Sequence, residues 1–276
     1  MLRKLIKYDM KSLNRFLPVI HIFTLFFSIL VRIFITGRIT SQTSNEQINF
    51  FLILSFTLYS IIIVALSTGT HLIAGIRFYK NIFTDEGYLT RTLPVTSGTH
   101  LLSKVITGSC WAIINMLSMY LCVYIVMWTP YIKSIAAENK DDILVEFGFV
   151  GKYAHISLSA ALMILLLFSC IGVIGSIIMI YASVALGQLF SSHRVLGAVV
   201  TYFVISTLIS ILSVVVMVIF GHETRLFMTS SLLESDFNFV SYMTELMKIT
   251  VVFEIVISAI LYSITHFIMS KKVNLV

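Results

Sequence analysis

Long runs of apolar residues constrain the fold of this chain more than any other feature. Most of them exceed the ~18–20 residues that cross a bilayer core. The sequence therefore predicts an all-α polytopic membrane protein with six transmembrane helices in a single transmembrane domain, residues 1–276. The predicted spans are Phe16–Gly37, Phe50–Gly75, Leu101–Trp128, Ser157–Gly187, Val195–Phe220 and Met247–Met269.

Composition excludes a soluble globular domain. Charged residues make up 12% of the chain, against roughly 25% in an average protein. The cysteines Cys110, Cys122 and Cys170 lie inside apolar runs without metal-ligand spacing, which is typical of small buried side chains. The basic start of the chain is not followed by a small-residue cleavage site, so we do not expect a cleaved signal peptide.

The distribution of basic residues predicts the orientation in the membrane, because Lys and Arg favour the cytoplasmic flanks of spans. If the amino terminus is cytoplasmic, that side carries 12 of the 19 basic residues and only three acids, Asp9, Asp85 and Glu86. We therefore expect a plasma-membrane protein with both termini inside. Its excess of basic over acidic residues indicates contact with anionic lipid headgroups of the bilayer, not with nucleic acid. The 12 residues are Arg3, Lys4, Lys7, Lys11, Arg15, Arg77, Lys80, Arg91, Lys104, Arg194, Lys271 and Lys272.

Residues 1–15 have the pattern of an amphipathic helix lying in the membrane interface. On a helical wheel, one side is apolar and the other side is basic. The apolar side holds Leu2, Leu5, Ile6, Leu13 and Phe16, and the basic side holds Lys4, Lys7, Lys11 and Arg15.

Asp9 does not fit this pattern, because it falls on the apolar side of the interface helix. A carboxylate facing lipid would be costly, so one expectation is a basic or hydroxyl partner. The other is that the helix lifts slightly and leaves Asp9 in water.

Two segments between the spans are too long for plain turns, residues 129–153 and residues 221–246. With both termini inside, both segments are extracellular. Each mixes apolar and polar residues, so each would form either short helices over the outer mouth of the bundle or a solvated loop.

Two charged residues lie well inside predicted spans, Arg32 in the first and Glu254 in the last. Both fall roughly 8–10 Å below the outer boundary at 1.5 Å per residue. They could form an intramembrane ion pair, which would reduce the cost of each charge. Alternatively, Arg32 extends outward to the interface alone.

Small and hydroxyl residues recur at helical spacing in the fourth and fifth spans. Such faces allow helices to approach closely, either within one bundle or at a dimer interface or substrate path. The residues are Ser169, Gly172, Ser176, Ser183 and Gly187, followed by Ser206, Ser210 and Ser213.

We find no constellation for catalysis, a metal or a nucleotide. The histidines are scattered, and no H-E-x-x-H or nucleophile elbow occurs. No G-x-x-x-x-G-K-[ST] loop is present either, so this chain would not hydrolyse ATP by that route. If ATP drives the protein, a separate subunit supplies the site.

The stretch Thr84–Gly98, TDEGYLTRTLPVTSG, predicts a short helix between the second and third spans. Thr84 is a plausible N-cap, and Asp85 and Glu86 fall in the first turn, where the helix dipole favours acids. Pro94 stops the helix. We expect a helix of about nine residues, Asp85–Leu93, ~14 Å long, within a cytoplasmic loop of residues 76–98.

This region resembles the cytoplasmic loop of bacterial ABC transporter permeases of the ABC-2 type. In Gram-positive relatives, a run F/Y-x-x-L-x-x-x-E-G-Y-L-x-x-T-L-P-V precedes the third span, and the chain has RFYKNIFTDEGYLTRTLPVTSGTHLLSKV at Arg77–Val105. The opening, LRKLIKYDMKSLNRFLP, is similar to their L-x-K-Y-[ED]-[FM]-K segment. The six-span layout agrees over the whole chain.

The resemblance implies the rest of a transport machine. Two permease subunits, identical or related, would pair above cytoplasmic ABC ATPase subunits that bind ATP and Mg²⁺, and this chain would hold no cofactor. The amino-terminal helix would be the interface helix. The short loop helix would be the coupling helix that seats in the ATPase, with the motif at Asp85, Glu86, Gly87, Tyr88, Leu89, Leu93 and Pro94, and with Thr90 and Arg91 at variable positions.

Three functions follow from these patterns. The first is the permease subunit of an ATP-driven exporter of an amphiphilic or peptide-like substrate, not an enzyme by itself. The second is a membrane sensor or immunity protein that binds a peptide or partner without pumping, which would suit the long extracellular segments. The third, an intramembrane enzyme, lacks a catalytic constellation.

Overall fold

The structure, a computed structural model, describes residues 1–40, 46–92, 94–190, 193–221 and 238–271, and it leaves out the side chains of residues 37–40, 46–49, 51–52, 89, 91 and 131. This part of the chain is helical and contains no strand. The helices are α1 Leu2–Leu13, α2 Leu17–Thr40, α3 Glu46–Phe83, α4 Asp85–Arg91, α5 Ser97–Met127, α6 Pro130–Glu138, α7 Lys140–Glu146, α8 Leu158–Gly187, α9 Arg194–Ile219 and α10 Phe239–Lys271, with a 3₁₀ turn at Gly151–Tyr153.

The prediction of an all-α polytopic membrane protein is confirmed. Six of the described helices are long and apolar enough to cross a membrane, and they correspond in order to the six predicted spans. They are α2, α3, α5, α8, α9 and α10.

Two helices extend well beyond the spans predicted for them, because a helix does not have to end where its apolar run ends. The helix α3 continues past Gly75 to Phe83, through the polar residues Arg77 and Lys80. The backbone hydrogen bonds of a helix form as readily at residues with charged side chains as at residues with apolar ones. The predicted loop of residues 76–98 is therefore helical at its start. The helix α10 likewise begins at Phe239, before the predicted start of its span at Met247.

The chain divides into two compact units, and the first contains residues 1–78 and 98–139. One core cluster joins α2, α3 and α5 through Ile35, Tyr59, Ile63, Cys122 and Val126. A second cluster joins the end of α1 to α2 and α5 through Leu13, Leu17 and Trp111. These contacts hold the amino-terminal helix to the bundle of its own unit.

Polar side chains also connect the helices of the first unit. Ser28 Oγ and Tyr59 Oη share a hydrogen bond of 2.7 Å. Asn115 on α5 donates to Ser67 Oγ over 2.9 Å and accepts from Thr70 Oγ1 over 3.3 Å. Inside lipid, such bonds between helices contribute roughly 0.6–2 kcal/mol each.

The second unit contains residues 79–97 and 140–276, and within it α8 packs against both α9 and α10. Small residues allow the contact between α8 and α9. A Cβ at Gly187 would overlap the backbone of Ala198, and a Cβ at Gly197 would lie 2.6 Å from the Phe190 ring. The predicted close approach of helices at Gly187 is therefore confirmed.

The segment of residues 129–153 forms short helices, as one of the two alternatives predicted. In the first unit, Thr129 caps α6 by accepting from the Ile132 amide over 3.3 Å. In the second unit, Gly148 has φ +84°, a conformation that favours glycine. Its carbonyl accepts from Asn238 Nδ2 over 2.9 Å, which ties the segment to the start of α10. Most of the other long segment, residues 222–237 with His222, lies outside the described residues.

Candidate functional site

The short helix predicted between the second and third spans exists as α4 with Thr84 at its N-cap, as predicted, but the helix is shorter than the nine residues expected. The helix runs over seven residues, Asp85–Arg91, and Thr92 is its C-cap, two residues before Pro94. Thr84 occupies the N-cap position without a side-chain cap bond. Its hydroxyl donates instead to the Lys80 carbonyl over 2.6 Å, at the end of α3.

A glycine fixes α4 against the end of α3. A Cβ built at Gly87 would lie 2.5 Å from the carbonyl oxygen of Ile82 and 2.7 Å from its carbonyl carbon. The Gly87 amide donates to the Thr84 carbonyl over 2.7 Å, which closes the turn between the two helices. Only glycine permits this approach of two backbones, so α4 sits tightly on the last turn of α3.

The opposite side of α4 is exposed. Asp85 and Glu86 form its first turn and face solvent. Tyr88 is 65% exposed. Pro94 is also exposed. Of the other predicted coupling residues, the side chains of Leu89 and Arg91 and the whole of Leu93 lie outside the described residues.

A wide groove lies beside the end of α3 that leads into α4. Its volume is about 820 Å³, and Tyr79 lines it together with the first turns of α9. Tyr79 in turn stacks on Phe83 at 6.5 Å between ring centroids, one turn before α4. The residues from α9 are Arg194, Val195, Leu196, Val199 and Val200, preceded by His193.

The amino-terminal helix α1 shows the predicted division into two faces. Its basic side chains, Lys4, Lys7, Lys11 and Arg15, are all exposed. Leu13 is buried on the other side in the cluster with Leu17 and Trp111.

Asp9 has both a basic and a hydroxyl partner, the two kinds of partner that were predicted in case its carboxylate does not stay in water. Its carboxylate forms an ion pair with Lys104 and accepts a hydrogen bond of 2.8 Å from Ser103 Oγ. The side chains of Lys104 and Asp9 are only 9% and 13% exposed. The ion pair therefore joins α1 to the first turns of α5. The sequence placed Lys104 on the same predicted side of the membrane as Asp9, but nothing in it pairs the two residues.

Arg32 has a partner that the sequence did not reveal. Its Nη1 donates to the carbonyl of Ile125 over 2.9 Å. Ile125 is in the last turn of α5, where helix carbonyls lack partners inside the helix and the helix dipole favours a positive charge. Arg32 thus caps α5 within the first unit.

Glu254 lies in a cavity between α8, α9 and α10, all within the second unit. The cavity has a volume of about 200 Å³ and combines this carboxylate with small and hydroxyl residues. They are Gly172, Gly175, Ser176, Ser206, Ser210 and Ser258. Four of them belong to the small-residue faces that the sequence predicted, and these faces meet at Glu254.

Gly175 gives the carboxylate its space. A Cβ at this position would overlap Glu254 Oε1, and it would lie 3.0 Å from Ser258 Oγ. One turn earlier on α8, a Cβ at Gly172 would meet nothing within 4 Å. The sequence placed Gly172 on a small-residue face and did not single out Gly175, because its role depends on the helix that packs across it.

The predicted pairing of Arg32 with Glu254 joins residues of the two different units and stays a prediction. Comparisons of the chain with protein-family models, with curated proteins and with solved structures found no match. The site is therefore described by its own geometry.

Proposed function

We propose that this chain is the transmembrane permease subunit of an ATP-driven ABC exporter in the plasma membrane. The observation that supports it most is α4, whose backbone is fixed on α3 at Gly87 while Tyr88 is 65% exposed. This helix coincides with the sequence run that resembles the loop of ABC-2 permeases. Its surface suits a separate ATPase subunit that binds ATP and Mg²⁺.

In this proposal, motion passes through α4 as a rigid element. ATP binding would close an ATPase dimer beneath two permease subunits and push on Tyr88 and the acids of the first turn. Because Gly87 leaves no gap between α4 and α3, displacement of α4 would move the long helix α3 with it. Alternating inward and outward openings of the helices would then move an amphiphilic or peptide-like substrate out of the cell.

The orientation in the proposal follows from the basic residues. Both termini and α4 would face the cytoplasm, and α1 would lie in the membrane interface with its lysines toward anionic headgroups. The ion pair of Asp9 with Lys104 would then hold this interface helix to α5 as the permease changes shape.

The test is to purify the chain alone and with its co-purifying subunits and to measure ATP hydrolysis. We expect no hydrolysis by the chain alone and substrate-stimulated hydrolysis by the complex. A sensor or immunity protein that does not pump would show no hydrolysis in either sample. Activity of the chain alone would contradict the proposal.

Tyr88→Ala should lower the stimulated hydrolysis of the complex by roughly fivefold or more, because truncating an aromatic anchor residue at an interface costs over ~1 kcal/mol. The control is Tyr8→Ala on α1, which removes a tyrosine that is 70% exposed but outside the proposed ATPase contact. Wild-type stimulation in Tyr88→Ala would remove the role that we give to α4.

A further inference from the structure

We propose that the cavity at Glu254 binds a primary ammonium group attached to a short alkyl chain. The site would belong to this chain alone, so the inference does not depend on an ATPase or on export. The ligand could be an amine-bearing amphiphile or the ethanolamine headgroup of a lipid, which share this chemistry.

The first argument is charge. Glu254 lies within α10, one of the helices long and apolar enough to cross a membrane. Among the described residues of the second unit, no side chain forms a hydrogen bond or an ion pair with its carboxylate. A carboxylate inside a membrane is costly without a partner, and such residues mark sites for ions or ligands. A cation that enters the cavity would reduce this cost.

The second argument is whether the surrounding hydroxyls donate or accept hydrogen bonds. Ser210 Oγ donates its hydrogen to the Ser206 carbonyl on its own helix, over 2.9 Å. A serine hydroxyl has one hydrogen and two acceptor lone pairs. Ser210 therefore meets a ligand as a hydrogen-bond acceptor. A carboxylate is also an acceptor, so the cavity favours a ligand that donates several hydrogen bonds, as an ammonium group does.

The third argument is the apolar part of the wall. Met179, Ile209, Ile257 and Leu261 line the cavity beside the polar residues. They suit the methylene groups of an alkyl chain, whose burial contributes ~0.8 kcal/mol per CH₂. A cavity of ~150 Å³ accepts benzene, so the 200 Å³ here has room for the ammonium group and several carbons.

The wall also discriminates against quaternary ammonium groups. These cations lack N–H donors and are bound in proteins by cages of aromatic rings. None of the described residues that line the cavity is aromatic. A trimethylammonium group would donate no hydrogen bond to the carboxylate or to the acceptor lone pairs of Ser210, so we expect it to bind more weakly than the primary amine.

The test measures binding of hexylammonium to the purified chain in phosphatidylcholine nanodiscs by saturation-transfer NMR, with empty nanodiscs subtracted. Glu254→Gln should weaken binding by roughly tenfold or more, because a hydrogen bond to a charged group contributes ~1.5–3 kcal/mol. The matched control is Glu245→Gln, which removes an exposed carboxylate from the same helix and should leave the dissociation constant unchanged.

A second variant tests the same site in case Glu254→Gln does not fold. The double change Ser206→Ala and Ser210→Ala keeps the charge and should weaken binding severalfold. Hexyltrimethylammonium should bind the wild type more weakly than hexylammonium. Equal affinity of hexylammonium for the wild type and Glu254→Gln would overturn the proposal. Binding that appears only after Arg32→Ala would also overturn it, because Arg32 would then be the occupant of the site.

The two sources of the amine are separated by repeating the titration in nanodiscs that contain phosphatidylethanolamine. Weaker hexylammonium binding there would identify a lipid headgroup as a competing occupant. Unchanged binding would leave a free amine as the ligand. Both results keep the ammonium site and differ only in where the amine comes from.

Discussion

Asp9→Ala will lower the free energy of unfolding by about 3–5 kcal/mol, the usual cost of leaving one partner of a buried ion pair without the other. Lys104 is 9% exposed at its side chain and would lose the Asp9 carboxylate, which pairs with its charge inside the fold. Ser103 would lose the acceptor of its 2.8 Å hydrogen bond as well. Unfolding in urea, followed by circular dichroism in detergent, measures the change.

Replacing both partners separates this explanation from a simple loss of packing. In the double variant Asp9→Leu with Lys104→Leu, no buried charge remains, so most of the stability should return. Lys7→Ala is the control, because Lys7 is exposed on the same helix and should change stability by less than ~0.5 kcal/mol. If Asp9→Ala is as stable as the wild type, the ion pair does not anchor α1.

Gly87→Ala will destabilise the junction of α3 and α4 by about 1–3 kcal/mol, the typical cost of forcing an extra carbon into a packed site. The new Cβ would lie 2.5 Å from the Ile82 carbonyl oxygen. The three atoms nearest to it all belong to the Ile82 backbone, so no side chain can turn away and α4 itself must shift. The free energy of unfolding, measured as above, reports the change.

The matched control for this substitution is Gly69→Ala within α3. A Cβ at Gly69 meets nothing within 4 Å, so alanine should be neutral or slightly stabilising through its higher helix propensity. In the complex with ATPase subunits, Gly87→Ala should also reduce stimulated hydrolysis. Equal stability of Gly87→Ala and Gly69→Ala would show that α4 does not sit tightly on α3.

The sequence predicts the helices well because a bilayer imposes a length and a polarity that can be counted along the chain. The apolar runs locate α2, α5, α8 and α9 closely, and the alternation of basic and apolar residues locates α1. The end of α3 and the start of α10 lie beyond the predicted spans, because both helices continue past their apolar runs, where backbone hydrogen bonds decide the boundary.

The sites depend on contacts between distant parts of the chain, and these are much harder to predict. Asp9 was expected to meet a basic or hydroxyl group, but neither Lys104 nor Ser103 could be named from spacing alone. Arg32 was assigned to Glu254 or to the interface, and its partner is a backbone carbonyl that carries no sequence signal. The cavity at Glu254 forms where α8, α9 and α10 pack together, so only the folded second unit reveals it.

The contact of α4 with a separate ATPase is the central claim, and site-specific crosslinking tests it most directly. Tyr88 is replaced by a photoreactive benzoylphenylalanine in the chain as it is expressed in cells, and Tyr8 receives the same replacement as the control. We predict that illumination joins position 88, but not position 8, to a protein that mass spectrometry identifies as a P-loop ATPase. A complex that hydrolyses ATP normally and yields no ATPase adduct at position 88 would contradict the account.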